Sequence, residues 1–228
     1  MSRLSGPPPS GTPIPALVHA AAGSAELVPV WRNELGGLTY RAEDRFLKWS
    51  PPGAPDLEHE RARLVWAAPF HPVPEVLDLL RDNEAQLLVT RALVGRSAVD
   101  AEPRVAARAV GEGLRALHDD LPVDSCPFSW SVEERGGRSA PPVDRLVVAH
   151  GDACVPNTLV GSDGRWSAHV DLGRLGLADR WADLAVASAN LDANFGPGWQ
   201  AEFFAAYGIA RDEERIRFYR ELWDAEDD

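Results

Sequence analysis

Residues 147–185 read VVAHGDACVPNTLVGSDGRWSAHVDLGRLGLADRWADLA, and this stretch decides how the rest of the chain is interpreted. Three short apolar segments, 147–149, 158–160 and 166–170, predict strands. The Ser-Asp-Gly sequence at 162–164 predicts a turn between the last two strands. The pattern therefore indicates a buried strand followed by a hairpin.

Three polar side chains lie at the ends of these strands. Asp152 follows the first strand, Asn157 precedes the second and Asp171 ends the third, so we expect them to converge at one end of the hairpin. Phosphoryl transfer to a hydroxyl uses such a set, because one carboxylate accepts the hydroxyl proton while an Asn and a second Asp hold Mg²⁺. The five-residue separation of Asp152 and Asn157 is typical of a kinase catalytic loop. A lone Asp before a strand is otherwise a turn or cap residue.

The sequence motifs HGDACVPN at 150–157 and DLGRLGLADRWADLA at 171–185 resemble those of the aminoglycoside phosphotransferase family, most closely its 3'-phosphotransferase branch. The resemblance implies an α+β, bilobal protein-kinase-like fold, with a small five-stranded antiparallel β N-lobe and a mainly helical C-lobe. It also implies transfer of the γ-phosphate of ATP, with Mg²⁺, to a hydroxyl of an aminoglycoside-like antibiotic, and hence antibiotic resistance.

The same resemblance assigns roles to residues of the hairpin. It implies that Asp152 is the catalytic base and that Asn157 and Asp171 are the metal ligands. Arg174 follows the metal ligand and is expected to position or neutralise charges in the site.

Three segments are expected along the chain. Residues 1–15, rich in Pro, Gly and Ser, predict a flexible tail. We assign 16–92 to the N-lobe, which binds nucleotide, and 93–228 to the C-lobe, which carries the catalytic loop, the metal site and the acceptor site. Strands of the N-lobe are predicted at 27–32, 38–41, 45–50, 74–77 and 85–90.

Lys48 lies within the third predicted strand, and the resemblance makes it the lysine that contacts nucleotide phosphates. Its expected partner is Glu60 on a helix that starts near Pro55, with Glu58 as the second choice. The alternative is that these glutamates only form ion pairs on a solvated helix face.

Two further N-lobe features are candidates for nucleotide contact. Gly36 and Gly37 form the turn after the first strand, where glycine lets backbone N–H groups approach phosphate, although a Gly-Gly hairpin needs no function. Thr90, Arg91 and Ala92 are expected to offer free backbone groups to an adenine where the chain leaves the N-lobe.

The C-lobe is expected to begin with an amphipathic helix that starts at Glu102 and Pro103. His118 lies near the end of this helix and is expected to be structural. The polar interval 129–142 is short, whereas in the family it holds additional helices of the acceptor pocket. Glu133 and Glu134 are the carboxylates that remain there, as substrate contacts or as part of a solvated loop.

The last part of the chain is expected to be helical. Asp179 is predicted to cap the helix that follows the hairpin, and Asp183 to be a structural hydrogen-bonding residue. Two more helices are predicted at about 199–207 and 211–223. Asp192, Glu221 and Asp224 are further candidates for binding substrate amines. For Glu221 and Asp224 the alternative is a solvated acidic tail.

Composition limits the partners. The net charge of −12 argues against nucleic acid and anionic membranes, and fits either a small cationic, hydroxyl-bearing substrate or a need for solubility. The sequence contains no apolar run of about 18 residues and no signal-peptide pattern, so we expect a cytoplasmic protein with two reduced cysteines. The oligomeric state stays open. Two other functions also stay open: a kinase for another small alcohol or amino alcohol, and a catalytically silent nucleotide-binding module.

Overall fold

The structure is a computed structural model, and it describes residues 6–82, 85–133, 135–136 and 140–225. The chain forms two compact units, of which the first contains the residues up to 66 together with 74–93. The second contains 67–73 and the chain from 94 onward. The expected N-lobe, 16–92, thus differs at 67–73, because His71 in this segment hydrogen-bonds to Asp120 and His169 of the second unit.

The first unit contains a five-stranded sheet in which every pairing is antiparallel, as predicted. Its strands follow the spatial order β1-β2-β3-β5-β4. The strands are β1 (Val28–Arg32), β2 (Leu38–Ala42), β3 (Arg45–Ser50), β4 (Val76–Asp82) and β5 (Ala85–Arg91), and the helices are α1 (Ala16–Ala22) and α2 (Glu58–Ala67). The sequence interpretation missed α1 and ended β4 five residues early, because the polar DLLRD sequence hides a strand at the sheet edge.

Side-chain alternation explains how this sheet buries its core. In β2 the side chains of Leu38, Tyr40 and Ala42 are buried, as expected for a strand with one covered face. Helix α1 packs on this core through Val18. The segment expected to be a flexible tail also has fixed contacts, since Gly6 and Arg32 exchange two backbone hydrogen bonds of 2.9 and 2.7 Å.

Within its described residues, the second unit combines four helices with two small sheets. The strands are β6 (Arg96–Ser97), β7 (Leu146–Ala149), β8 (Thr158–Val160), β9 (Trp166–His169) and β10 (Gly176–Asp179), and the helices are α3 (Pro103–Asp120), α4 (Trp181–Phe195), α5 (Gln200–Tyr207) and α6 (Glu213–Asp224). One sheet has the order β6-β8-β9 and the other pairs β7 with β10. In the part of the chain that the structure describes, no helix is long and apolar enough to cross a membrane.

Helix α3 lies at the centre of this unit. It begins as the sequence predicts, with Pro103 in its first turn and the Glu102 side chain accepting a hydrogen bond from the Val105 N–H group. Gly111 allows close packing, because a Cβ atom there would lie 2.5 Å from the carbonyl oxygen of Phe203 in α5. Each leucine that α3 buries, such as Leu114, stabilises the fold by about 1.5–3 kcal/mol.

Asp179 stabilises the start of α4, as the sequence predicts. It is the last residue of β10, and its Oδ1 accepts a hydrogen bond at 3.2 Å from the backbone N–H group of Trp181, where α4 begins. Its buried carboxylate accepts a hydrogen bond from the Asp144 N–H group and pairs with Arg215 at 3.0 Å. Asp179 therefore joins three segments of the unit, a role that needs contacts distant in sequence.

Candidate active site

The catalytic loop of the second unit follows β7 and is fixed by a buried carboxylate of α4. Asp183 accepts hydrogen bonds from the backbone N–H groups of His150, at 2.6 Å, and Gly151, at 2.9 Å. These two donors immediately precede Asp152. The predicted structural role of Asp183 is confirmed, because its two oxygens hold the backbone that presents the candidate base.

A second layer of side chains holds Asp183. His118 Nε2 lies 3.0 Å from the same Asp183 carboxylate, and His118 Nδ1 lies 2.9 Å from the Tyr207 hydroxyl. Burial alone would raise the pKa of Asp183, but the hydrogen bond with His118 and the surrounding donors outweigh burial and lower that pKa. His118 is thus structural, as predicted, and it connects α3, α4 and α5.

His150 links the catalytic loop to the strand that leads to Asp171. Its Nε2 atom lies 3.0 Å from the Val170 carbonyl oxygen, and its Nδ1 atom lies 3.3 Å from the Asp152 backbone nitrogen. A carbonyl only accepts and an amide N–H only donates, so this geometry assigns the ring proton to Nε2. The imidazole therefore holds two segments of the site at once.

Asn157 and Asp171 flank the open end of the β8–β9 hairpin. The Val170 N–H group donates to the Asn157 carbonyl oxygen at 2.9 Å, which brings the two ends together. The Asn157 side-chain nitrogen donates to the Asp152 carbonyl oxygen at 3.0 Å. The amide oxygen of Asn157 is the atom left to act as a ligand.

The Asp152 carboxylate lies in a buried, charged environment. Burial is the main cause that raises the pKa of Asp152, and the negative charge of Asp171 adds to it. A hydrogen bond with Cys154 and the electrostatic influence of His150 and Arg174 oppose the rise. Asp152 Oδ1 is buried and has no hydrogen-bond partner among the described residues. Such an orphaned acceptor beside a second carboxylate suits a site that binds a hydroxyl or a cation.

Cys154 lies in the same loop but is not activated as a nucleophile. Burial raises the pKa of its thiol, and the charge of Asp152 raises it further. The thiolate is the reactive form of cysteine. The thiol thus remains a weak hydrogen-bond donor to the loop.

Asp171 has an unusual backbone conformation for a residue other than glycine, with φ of 61°. Asp tolerates this left-handed region better than most residues, and such conformations concentrate at functional sites. Its side chain is exposed. Arg174, also exposed, places its guanidinium 5.1 Å from the Trp223 ring.

The donor set around this loop fits a hard divalent cation. The amide oxygen of Asn157 and the carboxylate of Asp171 are oxygen ligands of the kind that Mg²⁺ prefers. The described residues contain no cluster of three or more His, Cys, Asp or Glu side chains that could hold a metal alone. A metal here therefore depends on further oxygens, as nucleotide phosphates provide.

In the first unit, the predicted partner of Lys48 is confirmed. Lys48 Nζ lies 2.7 Å from Glu60 Oε2, and the two side chains are 26% and 10% exposed. Glu58, the second choice, instead pairs with Arg61 on the helix surface. The low exposure of Glu60 fixes the lysine side chain more firmly than a surface pair would.

The glycines of the first turn use their N–H groups locally. Gly36 has φ of 81°, which requires glycine or a similarly tolerant residue. The Gly36 N–H donates to the Asn33 carbonyl oxygen, and the Gly37 N–H donates to Asn33 Oδ1 at 2.7 Å. Nucleotide contact at Gly36 and Gly37 stays a prediction.

The segment expected to offer free backbone groups is more engaged than predicted. Thr90 pairs with Phe46 inside the sheet. The Arg91 N–H group donates to the Glu75 carbonyl oxygen, and the Ala92 N–H group donates to the Asp44 carbonyl oxygen at 2.7 Å. The backbone N–H groups of Arg91 and Ala92 are therefore not free, because neighbouring strand ends accept hydrogen bonds from both. Contact of Thr90 and Ala92 with an adenine stays a prediction.

The candidate substrate carboxylates lie in different settings. Glu133 is exposed in a turn, whereas Glu134 lies outside the described residues. Asp192 accepts a hydrogen bond from Gln200, which ties α4 to α5. Glu221 borders a groove between 140–141 and α6, and Asp224 is exposed at the end of α6. Contact with a substrate stays a prediction for all five.

Sequence reasoning missed a pair of histidines behind Asp171. His71 Nδ1 lies 3.0 Å from Asp120 Oδ2, and His71 Nε2 lies 2.9 Å from His169 Nδ1. The backbone N–H group of His169 donates to the Pro72 carbonyl oxygen. Burial holds the pKa of the His169 imidazole well below its usual value. The pair anchors the end of β9, two residues before Asp171. No local pattern signals it, because its members are distant in sequence.

The loop, the amide and the second carboxylate together define a kinase-like phosphotransferase site. The sequence model of the phosphotransferase enzyme family matches residues 30–141 and 132–219. The chain therefore belongs to this family.

Individual relatives agree with this assignment. The chain is 36% identical to streptomycin 3''-kinase of Streptomyces griseus, over 85% of the chain and 89% of the relative. It is 34% identical to an aminoglycoside 3'-phosphotransferase of Streptomyces fradiae, over 73% and 78% of the two chains. Among solved structures, aminoglycoside phosphotransferase APH(3'')-Id of Streptomyces rimosus with ADP and streptomycin has a TM-score of 0.73 and 29% identity, and covers 92% of this chain and 96% of its own. The predicted protein-kinase-like fold is confirmed.

The comparisons also bear on the interval predicted to be short. The two matched pieces of the family model overlap at 132–141, inside that interval. The alignment with streptomycin 3''-kinase has 244 positions, and 85% of the 228-residue chain is about 194 residues. At about 50 aligned positions the relative therefore has a residue and this chain has a gap. The chain is thus shorter than this relative inside the aligned region.

Proposed function

We propose that the protein transfers the γ-phosphate of ATP to a hydroxyl group of an aminoglycoside, with Mg²⁺, and so confers resistance to that antibiotic. The observation that carries this proposal is the orphaned, buried Oδ1 of Asp152 beside Asp171, on a backbone that Asp183 fixes. A carboxylate held in this way is ready to accept a hydrogen bond from a substrate hydroxyl.

Asp152 has the role of base and orienting group. Its free oxygen accepts the hydroxyl proton while the substrate oxygen forms a bond to phosphorus and the bond to the leaving ADP oxygen breaks. The raised pKa of Asp152 makes its carboxylate a stronger base, which favours acceptance of the hydroxyl proton. Positioning and electrostatic stabilisation then supply most of the rate enhancement.

The remaining residues bind charge. Asn157 and Asp171 would hold Mg²⁺, which when bound neutralises phosphate oxygens. Lys48, oriented by Glu60 at 2.7 Å, binds nucleotide phosphate, and Arg174 adds positive charge near Asp152.

The acceptor is inferred from the relatives and from charge. The two relatives are named for streptomycin and aminoglycoside phosphorylation, and the solved neighbour holds ADP and streptomycin. A net charge of −12 attracts a small polycationic acceptor and disfavours nucleic acid and anionic membranes. Action in the cytoplasm, where ATP is available, belongs to the same proposal.

A second candidate function follows from the short interval. About 50 positions of the streptomycin kinase have no counterpart in the aligned chain, and the two matched pieces of the family model overlap at 132–141. A kinase for another small alcohol or amino alcohol would keep the same catalytic loop and differ in its acceptor contacts.

One experiment tests both candidates. The purified protein is incubated with Mg²⁺ and ATP against streptomycin, aminoglycosides with a free 3'-hydroxyl, and small amino alcohols. ADP release and the product mass are followed. We expect a phosphate-sized mass gain on an aminoglycoside, and a loss of about a thousandfold in kcat for Asp152→Asn with ATP binding retained.

Asp163→Asn is the matched control, because Asp163 is an exposed carboxylate in the turn at the opposite end of the hairpin. It should keep native kcat. Phosphorylation of an amino alcohol alone would establish the second candidate. ATP binding without transfer to any acceptor would contradict both and indicate a silent nucleotide-binding module.

A further inference from the structure

The segment 128–130, called the strap here, lies at the start of the short interval and runs parallel to part of β10. The Leu177 N–H group donates to the Phe128 carbonyl oxygen at 2.9 Å, and the Trp130 N–H group donates to the Leu177 carbonyl oxygen at 3.1 Å. Gly176 permits this approach, since a Cβ atom there would lie 2.5 Å from the Ser129 carbonyl carbon. The strap is therefore fixed to the strand that follows the Asp171 loop.

The strap also reaches the catalytic loop through one side chain. Trp130 is 3% exposed, and its Nε1–H group donates to the Gly151 carbonyl oxygen at 3.2 Å. This carbonyl belongs to the peptide that joins Gly151 to Asp152. The N–H of the same peptide donates to His150 Nδ1 at 3.3 Å. Both polar groups of the peptide before the Asp152 Cα atom are thus held.

Packing restricts the same peptide. Gly151 has φ of 79°, and a Cβ atom there would lie 2.8 Å from Trp130 Cδ1 and 2.1 Å from the Arg174 carbonyl oxygen. Gly151 is therefore enclosed between the indole and the backbone that follows Asp171. Any side chain at position 151 would therefore displace the indole or the Arg174 backbone.

The indole itself is held on its faces. The guanidinium of Arg135 lies 4.0 Å from the centre of the Trp130 ring, a cation–π distance, and the Tyr219 ring lies 6.4 Å away at a tilt of 48°. These contacts come from the short interval and from α6. They fix the direction of the Nε1–H group.

We propose that Trp130 is a positioning residue for phosphoryl transfer, which holds the Gly151–Asp152 peptide so that the Asp152 carboxylate faces the acceptor hydroxyl. This inference rests on the proposed function. Trp130 acts through Asp152 and needs no contact with substrate, so its loss lowers kcat and leaves KM for ATP unchanged. The strap thereby makes the orientation of the base depend on the short interval.

The test compares two tryptophan variants. Trp130→Phe removes the indole N–H group and keeps an aromatic ring. Trp181→Phe is the matched control, because Trp181 is 2% exposed and donates its Nε1–H group to Asp144, at 2.8 Å, away from the loop. We expect kcat to be about fivefold lower in Trp130→Phe than in the control, with equal KM for ATP, since one neutral hydrogen bond is lost.

Hydrogen exchange of the backbone amides of 150–157 gives a readout that does not need activity. Exchange should be faster in Trp130→Phe than in Trp181→Phe. Arg135→Gln removes the cation above the ring, so it should lower kcat and speed hydrogen exchange, each by about twofold. This variant replaces Trp130→Phe in the test if Trp130→Phe does not fold.

Equal kcat and equal exchange in the two tryptophan variants would overturn the inference. If the native protein transfers phosphate to no acceptor, the proposed function fails instead. In that case the exchange comparison still decides whether Trp130 holds the loop, and unchanged exchange overturns the inference with or without transfer.

Discussion

The catalytic segment 147–185 and the short interval 129–142 lie in the same unit, but only the first contains the predicted residues of phosphoryl transfer. The first contains the catalytic loop, which Asp183 holds, and Asn157, which donates to the Asp152 carbonyl oxygen, together with Asp171. The second is where the two matched pieces of the family model overlap. Phosphoryl transfer requires a fixed set of oxygens and leaves little freedom in geometry, whereas acceptor recognition allows many solutions. We therefore expect the proposed transfer chemistry to depend on the first segment, and the choice of acceptor to depend on the second.

The largest effect on the first region is expected from Asp183→Asn. The amide group would place a donor against a backbone N–H group that now donates to Asp183, and it would weaken the contact with His118. The free energy of unfolding in urea should fall by about 3 kcal/mol, and kcat should fall with it. Asp163→Asn should change that free energy by less than about 0.5 kcal/mol. Native stability in Asp183→Asn would show that the loop is held by other contacts.

The next effect concerns the nucleotide side. Glu60→Gln should lower kcat/KM for ATP by roughly 10- to 100-fold, because Lys48 loses the charged partner that orients it. Glu58→Gln should leave kcat/KM unchanged, since Glu58 pairs with Arg61 on the helix surface. Equal losses in the two variants would mean that helix stability, rather than the Lys48 pair, is responsible.

Lys48 also allows a direct chemical test, because it is the only lysine in the sequence. An amine-reactive ATP analogue should label this side chain besides the amino terminus, and excess ATP should protect it. Peptide mass spectrometry locates the label. Labelling of Lys48 that ATP does not reduce would contradict its assignment to nucleotide phosphate.

The pH dependence should report the environment of Asp152. Asp152 acts as a base only when ionised, and its pKa is raised, so kcat/KM for the acceptor should fall on acidification at a pH above the usual aspartate value of 3.8. Contact with Cys154 lowers this pKa, so Cys154→Ala should move the acid limb to higher pH. Cys126→Ala is the control and should leave the profile unchanged. If Cys154→Ala leaves the acid limb unchanged, the limb reports the titration of a group other than Asp152.

The smallest effect is expected in the short interval 129–142. Glu133→Gln removes an exposed carboxylate of the short interval, and KM for a cationic acceptor should rise by about twofold with kcat unchanged. Steady-state kinetics with an uncharged acceptor gives the comparison. A loss in kcat would mean that Glu133 does more than attract the acceptor.

The parts that could be predicted from the sequence are those determined by neighbouring residues. The β8–β9 hairpin and the pairing of Lys48 with Glu60 follow from local periodicity and from the family motif. The buried contacts of Asp179, and the His71–His169 pair behind Asp171, join residues distant in the chain. No local pattern encodes these contacts, because each depends on how separate elements pack together.

The most direct measurement of the central claim is the stoichiometry of transfer with streptomycin as acceptor. ADP release and phosphorylated product are quantified in the same reaction, with and without acceptor. We expect the acceptor to stimulate ADP release and one phosphorylated molecule to appear for each ADP, with both lost in Asp152→Asn. ADP release that is equal without acceptor and yields no phosphorylated product would contradict it, because the site would then transfer phosphate to water.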